Sequence, residues 1–252
     1  MKAMILAAGR GERMRPLTDT TPKPSLAVGG KALIVWHLER LARAGFREIV
    51  INHAWLGSLV EATVGADAPK SLGITYSPEG EAADSALETA GGIAQALPLI
   101  TTRDEPFLVI NGDIWCDFDV GRAATIALQM RATNALAHLV MVPNPPQHAA
   151  GDFALAGARI YDDRQPCLTF SGIGVYRPAL FDGVVRGAKA KLAPLLRAAM
   201  RTGRVSGEWH GGEWQDIGTP ERLAALDARL RATQDATQHA TPRATPHNTM
   251  LP

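Results

Sequence analysis

An α/β fold with a mostly parallel sheet flanked by helices is predicted by three observations in this 252-residue sequence. The apolar run at residues 3–8 reads as a buried parallel strand and breaks at once into Gly9-Arg10-Gly11, a glycine-containing turn. Strand-like and helix-like segments then alternate through the first two-thirds of the chain, which is the pattern of βαβ units. Hydrophobic residues make up 46% of the sequence, ample for a large core.

The elements follow in order. Residues 3–7 form the first strand. Residues 33–44 form an amphipathic helix with Leu33, Ile34, Leu38 and Leu41 on its apolar face, and Gly45 stands where a C′ glycine stops a helix. Trp36 and His37 on that helix read as core-edge packing. A strand at 48–52, a helix at 56–64, strands near 74–77 and 107–111, a helix from about Thr89, another at 120–131 and a strand at 135–142 complete the alternation. After Pro143-Asn144-Pro145-Pro146 the strands at 153–155, 159–161 and 169–176 read as a shorter, antiparallel elaboration on the same sheet. Helices at 192–201 and 220–232 close a domain spanning 1–232, and the Gln-, Thr-, Ala- and Pro-rich residues 233–252 read as a disordered tail.

Ligands of such sheets bind beyond the carboxyl ends of the strands, where Gly9-Arg10-Gly11 and Asn111-Gly112-Asp113 both fall. Glycines let backbone N–H groups approach a polyphosphate, and Arg13 and Lys23 supply charge, with Arg10 and Arg15 completing a local cationic cluster. A dinucleotide loop is excluded because Met14 holds the position of its third glycine, and a Walker loop is excluded because no Gly-Lys-Ser/Thr follows. Pro22 and Pro24 restrict the backbone on both sides of Lys23. Asp113 stands at the mouth of a buried strand, and Asp216 lies just ahead of a helix start capped by Thr219 with Pro220 at N1.

Leu6-Ala7-Ala8-Gly9-x-Gly11-x-Arg13-Met14 followed by Lys23-Pro24 resembles the signature of the sugar-1-phosphate nucleotidylyltransferases. Ser77-Pro78-Glu79-Gly80, Leu87-Glu88-Thr89-Ala90-Gly91-Gly92, Asn111-Gly112-Asp113, Phe170-Ser171-Gly172-Ile173 and Trp214-Gln215-Asp216-Ile217-Gly218-Thr219-Pro220 follow in the family's order. The phrases beginning at Ile49, Tyr76 and Lys191 resemble its muramate-type, uridylyl-transferring branch. The resemblance implies a Rossmann-like fold of the nucleotide-diphospho-sugar transferase type. It implies transfer of a uridylyl group from UTP to N-acetylmuramic acid 1-phosphate in cell-wall recycling.

On the same resemblance, Arg13, Lys23 and Asp113 are catalytic, while Ala8, Gly9, Gly11, Lys23, Glu79, Gly91, Gly92 and Asp113 bind the nucleotide. Asn111, Ser171, Gly172 and Lys191 bind the sugar phosphate; the lactyl carboxylate of muramate needs a positive or N–H-rich partner, for which Lys191, Arg164 and a nearby helix N-terminus are the candidates by their chemistry. Asp113 and Asp216 hold Mg2+, an ion suited to carboxylates plus substrate phosphates. Two departures stand out: Ala90 replaces a glycine, strained only if its φ is positive, and residues 81–86 are inserted after Gly80. Two other readings remain open: a different nucleotide and sugar pair, such as GTP with mannose 1-phosphate, and a non-catalytic sugar-nucleotide sensor on the same fold.

A net charge of +1 points to no nucleic-acid or membrane partner, and no apolar stretch approaches the roughly 18 residues of a membrane span. The two cysteines have no C-x-x-C spacing, which suits a reducing cytoplasm. The seven histidines show no metal-ligand spacing with them, which argues against zinc. Oligomeric state is left open.

Overall fold

The computed structural model describes residues 1–82 and 84–239. In chain order the elements are β1 (Ala3–Leu6), β2 (Ala27–Val28), β3 (Lys31–Ala32), α1 (Leu33–Arg43), β4 (Glu48–His53), α2 (Gly57–Asp67), β5 (Gly73–Pro78), α3 (Glu88–Ile100), β6 (Phe107–Asn111) and β7 (Ile114–Cys116). There follow α4 (Ala123–Thr133), β8 (Ala137–Val142), β9 (Phe153–Ala156), β10 (Arg159–Tyr161), β11 (Cys167–Tyr176), α5 (Leu192–Arg201), β12 (Val205–Trp209), β13 (Trp214–Asp216) and α6 (Pro220–His239).

Nine strands form one sheet in the order β5-β4-β1-β6-β11-β8-β12-β10-β9. β1 pairs in parallel with β4 and β6, and β4 with β5, so the chain runs outward from β1 and then returns to its other side at β6. That reversal is a topological switch point, and it opens a crevice outside the carboxyl ends of β1 and β6. Alternation along the buried strands feeds both faces: Ala3 and Ile5 pack with Ile34, Leu38 and Val60 of α1 and α2, while Met4 packs with Ile93 and Ala96 of α3. Gly45, with φ +90°, ends α1 as expected: its N–H bonds Ala42 O at 3.1 Å and the Phe46 N–H bonds Leu41 O at 3.0 Å, both bonds of a Schellman motif.

Two readings need correction. The strand expected at 169–176 is not part of a peripheral elaboration: β11 is ten residues long and runs antiparallel between β6 and β8 in the middle of the sheet. The tail expected from residue 233 is helical over residues 233–239, because α6 continues to His239. The middle turns of α6 are held by long-range contacts with the β2–β3 turn: Gly29 N–H donates to Asp227 Oδ1 at 2.7 Å, Gln234 Nε2 donates to Gly29 O at 3.1 Å, and Leu230 sits on the Gly29 backbone. Val28, Leu33, Ile217 and Leu226 form a small core beneath them. Residues 240–252 lie outside the described residues. Truncation after Ala232 removes the Gln234 bond and is expected to cost about 1 kcal/mol, read as a fall in Tm of roughly 2–4 °C by differential scanning fluorimetry. An unchanged Tm would mean that this part of α6 contributes nothing. Among the described residues no helix is long and apolar enough to cross a membrane.

Candidate active site

The crevice at the switch point is a cleft of about 390 Å3. Its floor comes from the strand ends, Leu6, Ala7, Ala8 and Gly9 after β1 and Asn111, Gly112 and Asp113 after β6. Lys23 and Pro24 close one side, and Asn52, Glu79, Asp84, Ala86, Glu88, Thr89 and Lys189 close the other. Gly112 is a close-approach glycine, since a Cβ there would lie 2.7 Å from Leu6 O. That packing lets the β6 strand end lie against β1.

Lys23 and Asp113 meet in this cleft. Lys23 Nζ donates to Asp113 Oδ2 at 2.6 Å, with the lysine side chain only 9% exposed and the aspartate 40% exposed. The carboxylate therefore fixes a nearly buried ammonium while keeping an open face of its own. Asp216 arrives from β13, whose antiparallel register pairs it with Ile114 and lets the Ile217 N–H bond Asp113 O at 2.9 Å. Two carboxylates distant in sequence thus stand on neighbouring residues of a two-stranded ribbon. Asp216 Oδ2 accepts from Arg222 Nη1 at 2.7 Å. Arg13 is exposed and makes no hydrogen bond or ion pair among the described residues. A methyl on Gly218 would come within 3.0 Å of Arg13 Nη2 and 2.8 Å of Asp216 Oδ2, which puts a free guanidinium beside the second carboxylate.

The other members of the expected cationic cluster are spent on structure. Arg10 donates to Thr18 O at 2.6 Å and Asp19 Oδ1 at 2.9 Å and lies over the Trp55 ring at 4.6 Å, while Arg15 also pairs with Asp19. The Arg10 bond holds the Asp19 carboxyl below its ordinary range. Gly11, φ +72°, packs its Cα on Thr18 with no room for a side chain, so it shapes the same loop from outside the cleft lining.

Glu79 organises the opposite wall. Its Oε1 accepts from Asn52 Nδ2 at 2.6 Å and its Oε2 from the Leu87 N–H at 2.7 Å, while Asn52 Oδ1 accepts from the Ala7 N–H at 2.9 Å. β4, β1 and the entrance of α3 are tied together through one carboxylate, whose pKa burial pushes up. Gly92 permits this, because a Cβ there would sit 2.4 Å from Glu79 Oε1. At Gly91 an added Cβ would run into the Ala188 carbonyl oxygen. Both glycines sit behind the cleft wall and do not line it. Ala90 avoids positive φ; the left-handed residue is Glu88, φ +62°, which lines the cleft.

Of the expected sugar-phosphate group, only Asn111 lines the cleft. Ser171 is fully buried and caps its own turn at Ile173 N. Gly172, φ +82°, sits at a β11 bulge with its Cα against the Asn111 side chain. Lys191 is the exposed residue before α5, and Arg164 lies over the Tyr161 ring at 3.6 Å. The lysine at the mouth of the cleft is Lys189, whose Nζ donates to Asp84 O at 2.6 Å and so joins the inserted 81–86 segment to the chain before α5. Lys189 and Asn52 were not singled out by the sequence, although Asn52 lies in the segment beginning at Ile49; a buried asparagine at a strand's carboxyl end is the signal that could have found it. His37 is fully enclosed at 2% exposure, not at the core edge, and burial lowers its pKa to about 4.

Residues 2–154 match the family described as nucleotidyl transferase. The chain is 54% identical over 231 residues to the N-acetylmuramate alpha-1-phosphate uridylyltransferase of Neisseria meningitidis, covering 90% of this chain and 97% of that one. It is 34% identical over 238 residues to the protein of the same name from Caulobacter vibrioides, covering 90% and 96%. Among solved structures, HddC from Yersinia pseudotuberculosis complexed with GMP-PN superposes with a TM-score of 0.71 at 20% identity, over 91% of this chain and 99% of that one. This last likeness speaks for the fold.

Proposed function

Because the chain belongs to the nucleotidyl transferase family, we propose that it transfers a uridylyl group from UTP to N-acetylmuramic acid 1-phosphate, releasing pyrophosphate in cell-wall recycling. The observation that carries this reading is the 54% identity across nearly the whole length of a relative bearing that name. A phosphate oxygen of the sugar substrate bonds to the α-phosphorus of UTP as the bond from that phosphorus to the bridging oxygen breaks, and pyrophosphate takes the electron pair. The chemistry asks the protein for positioning and for positive charge rather than for a nucleophile.

The residues divide accordingly. The Ala8–Gly9 backbone at the end of β1 faces the triphosphate, and Lys23, held by Asp113, presents its ammonium to it. Arg13, unpaired beside Asp216, meets the charge that builds on the transferring group. Glu79 and Asn52 hold the wall against which the nucleoside lies, and Asn111 faces the sugar phosphate. Gly11, Gly91, Gly92, Ser171 and Gly172 support this wall and floor by their packing. The carboxylates of Asp113 and Asp216 form an all-oxygen donor pair, which fits Mg2+. When bound, that ion neutralises phosphate charge and makes the α-phosphorus more electrophilic. UTP and a sugar 1-phosphate are soluble substrates, and the cytoplasm is the compartment that supplies UTP. Residues 1–232 with the remainder of α6 would constitute the transferase domain.

Pyrophosphate release over a matrix of nucleoside triphosphates and sugar 1-phosphates tests the reading. UTP with N-acetylmuramic acid 1-phosphate is expected to exceed GTP with mannose 1-phosphate by at least about tenfold in kcat/KM, or roughly 1.4 kcal/mol of transition-state binding. Equal or better turnover with the guanylyl pair would overturn the specificity and leave the transfer chemistry standing.

A further inference from the structure

The β7–β13 ribbon has two ends. Asp113 and Asp216 stand at one; at the other Cys116, paired with Trp214 across the ribbon, is followed by Asp117. His210 follows β12, where its N–H bonds Met141 O at 2.7 Å. Its Nε2 lies 2.7 Å from Asp117 Oδ1, and one donor atom from each of Cys116, Asp117 and His210 falls within 4.8 Å of the other two. The transfer reaction uses none of the three. Their separation in sequence explains why residue spacing alone argued against zinc.

We propose that Cys116, Asp117 and His210 form a second metal site, which takes one zinc-class transition ion through thiolate, carboxylate and imidazole.

The donor set decides the class of ion. Sulfur and imidazole nitrogen suit Zn2+ and Co2+, whereas Mg2+ takes oxygen. At zinc bond lengths of about 2.0–2.3 Å, tetrahedral donors sit roughly 3.2–3.6 Å apart, so the thiol must close slightly and the His210–Asp117 contact must open slightly. The surroundings favour that arrangement. A Cβ on Gly212 would lie 2.5 Å from Asp117 Oδ1 and 2.6 Å from His210 Cε1, so glycine is what lets this loop bring the two side chains together. Phe118 holds the imidazole edge-on, with centroids 5.6 Å apart and planes at 89°. Cys116 is 1% exposed while the Asp117 side chain is 54% exposed, giving an apolar back wall and a wet face where water can complete the coordination. The cost is a proton: burial pushes the Cys116 thiol up to about 11, so the entering ion must displace that proton to solvent. The Phe118 N–H donates to Cys116 Sγ at 3.4 Å and favours the thiolate that the ion needs.

The full chain, freed of metal by dialysis against chelator, is titrated with Co2+ alone. A near-ultraviolet thiolate-to-cobalt charge-transfer band is expected, saturating at one equivalent, lost on adding Zn2+ and indifferent to excess Mg2+. Cys116→Ser should abolish it, and Cys167→Ser and Asp113→Asn should leave it intact. His210→Ala, a change at a partly exposed loop residue, should retain the fold and weaken cobalt binding by at least about tenfold. Added Zn2+ should raise Tm in the wild type and not in His210→Ala. The proposal falls if no band forms, if the band survives Cys116→Ser, or if His210→Ala binds cobalt as tightly as the wild type. The His210→Ala arm decides the matter even if Cys116→Ser does not fold.

Discussion

Asp113→Asn is expected to lower kcat by about 10²–10³-fold, equivalent to roughly 3–4 kcal/mol of transition-state stabilisation. The substitution keeps the side chain's size and removes its charge. On the proposed assignment two functions are lost together, the open carboxylate face offered to the metal and the anion that holds Lys23 Nζ at 2.6 Å. Lys23 is nearly buried, so its ammonium is left with a weaker, neutral acceptor and loses its fixed direction toward the triphosphate. The fold should persist, since Asp113 is 40% exposed and its backbone carbonyl still accepts from Ile217. Pyrophosphate release at saturating Mg2+, with near-ultraviolet circular dichroism as the folding control, checks this. Turnover within a few-fold of wild type would remove Asp113 from both roles.

Gly91→Ala is the change expected to do most to the cleft wall without touching substrate. A Cβ there would meet Ala188 O at 2.4 Å and Ala190 N at 3.1 Å, both backbone atoms that cannot rotate aside. The displaced segment is pinned by Ala90 N–H and Gly91 N–H donating to Ala190 O at 2.9 and 3.1 Å and by Ala190 N–H donating to Leu87 O at 3.0 Å. Overpacking of this kind costs about 1–3 kcal/mol, against the gain alanine ordinarily brings to a helix. Lys189 travels with the segment, so KM for UTP should rise as Tm falls. Gly65→Ala, on an exposed turn of α2 with nothing within 4 Å, is the control and should raise stability by about 0.5–1 kcal/mol. A Tm for Gly91→Ala equal to that of the control would show that the 188–190 segment yields freely.

The parallel half of the sheet was readable because each of its strands is a short apolar run between turn signals, and each helix declares its own end, as Gly45 does for α1. β11 was not. A strand buried on both faces reads the same whether it lies at the centre or the margin, and its neighbours β6 and β8 are chosen by tertiary pairing that no local pattern records. At the site, motif order marked out Lys23, Asp113, Glu79 and Asp216. The motif also singled out Arg13 from its neighbours, and the structure leaves it without a hydrogen bond or ion pair among the described residues, whereas the pairing of Arg10 and Arg15 with Asp19 is a loop contact that composition alone does not record. The choice between Lys189 and Lys191 turned on the hydrogen bonds of Ala190 with the start of α3, which are equally silent in the sequence.

The clamp between the β2–β3 turn and α6 also orders events in time. Gly29 waits for Asp227, and Asp113 waits for the strand that carries Asp216, so each contact requires a long loop to close. Contacts of such sequence separation are entropically late, and in a chain made from its amino end they become available only when synthesis is nearly over. The cleft floor, by contrast, is drawn from β1, β6 and the turns that follow them, which leave the ribosome about a hundred residues before Asp216 does. On the proposed assignment, a nascent chain would carry its nucleotide-facing floor before it carries the second of its metal-binding carboxylates.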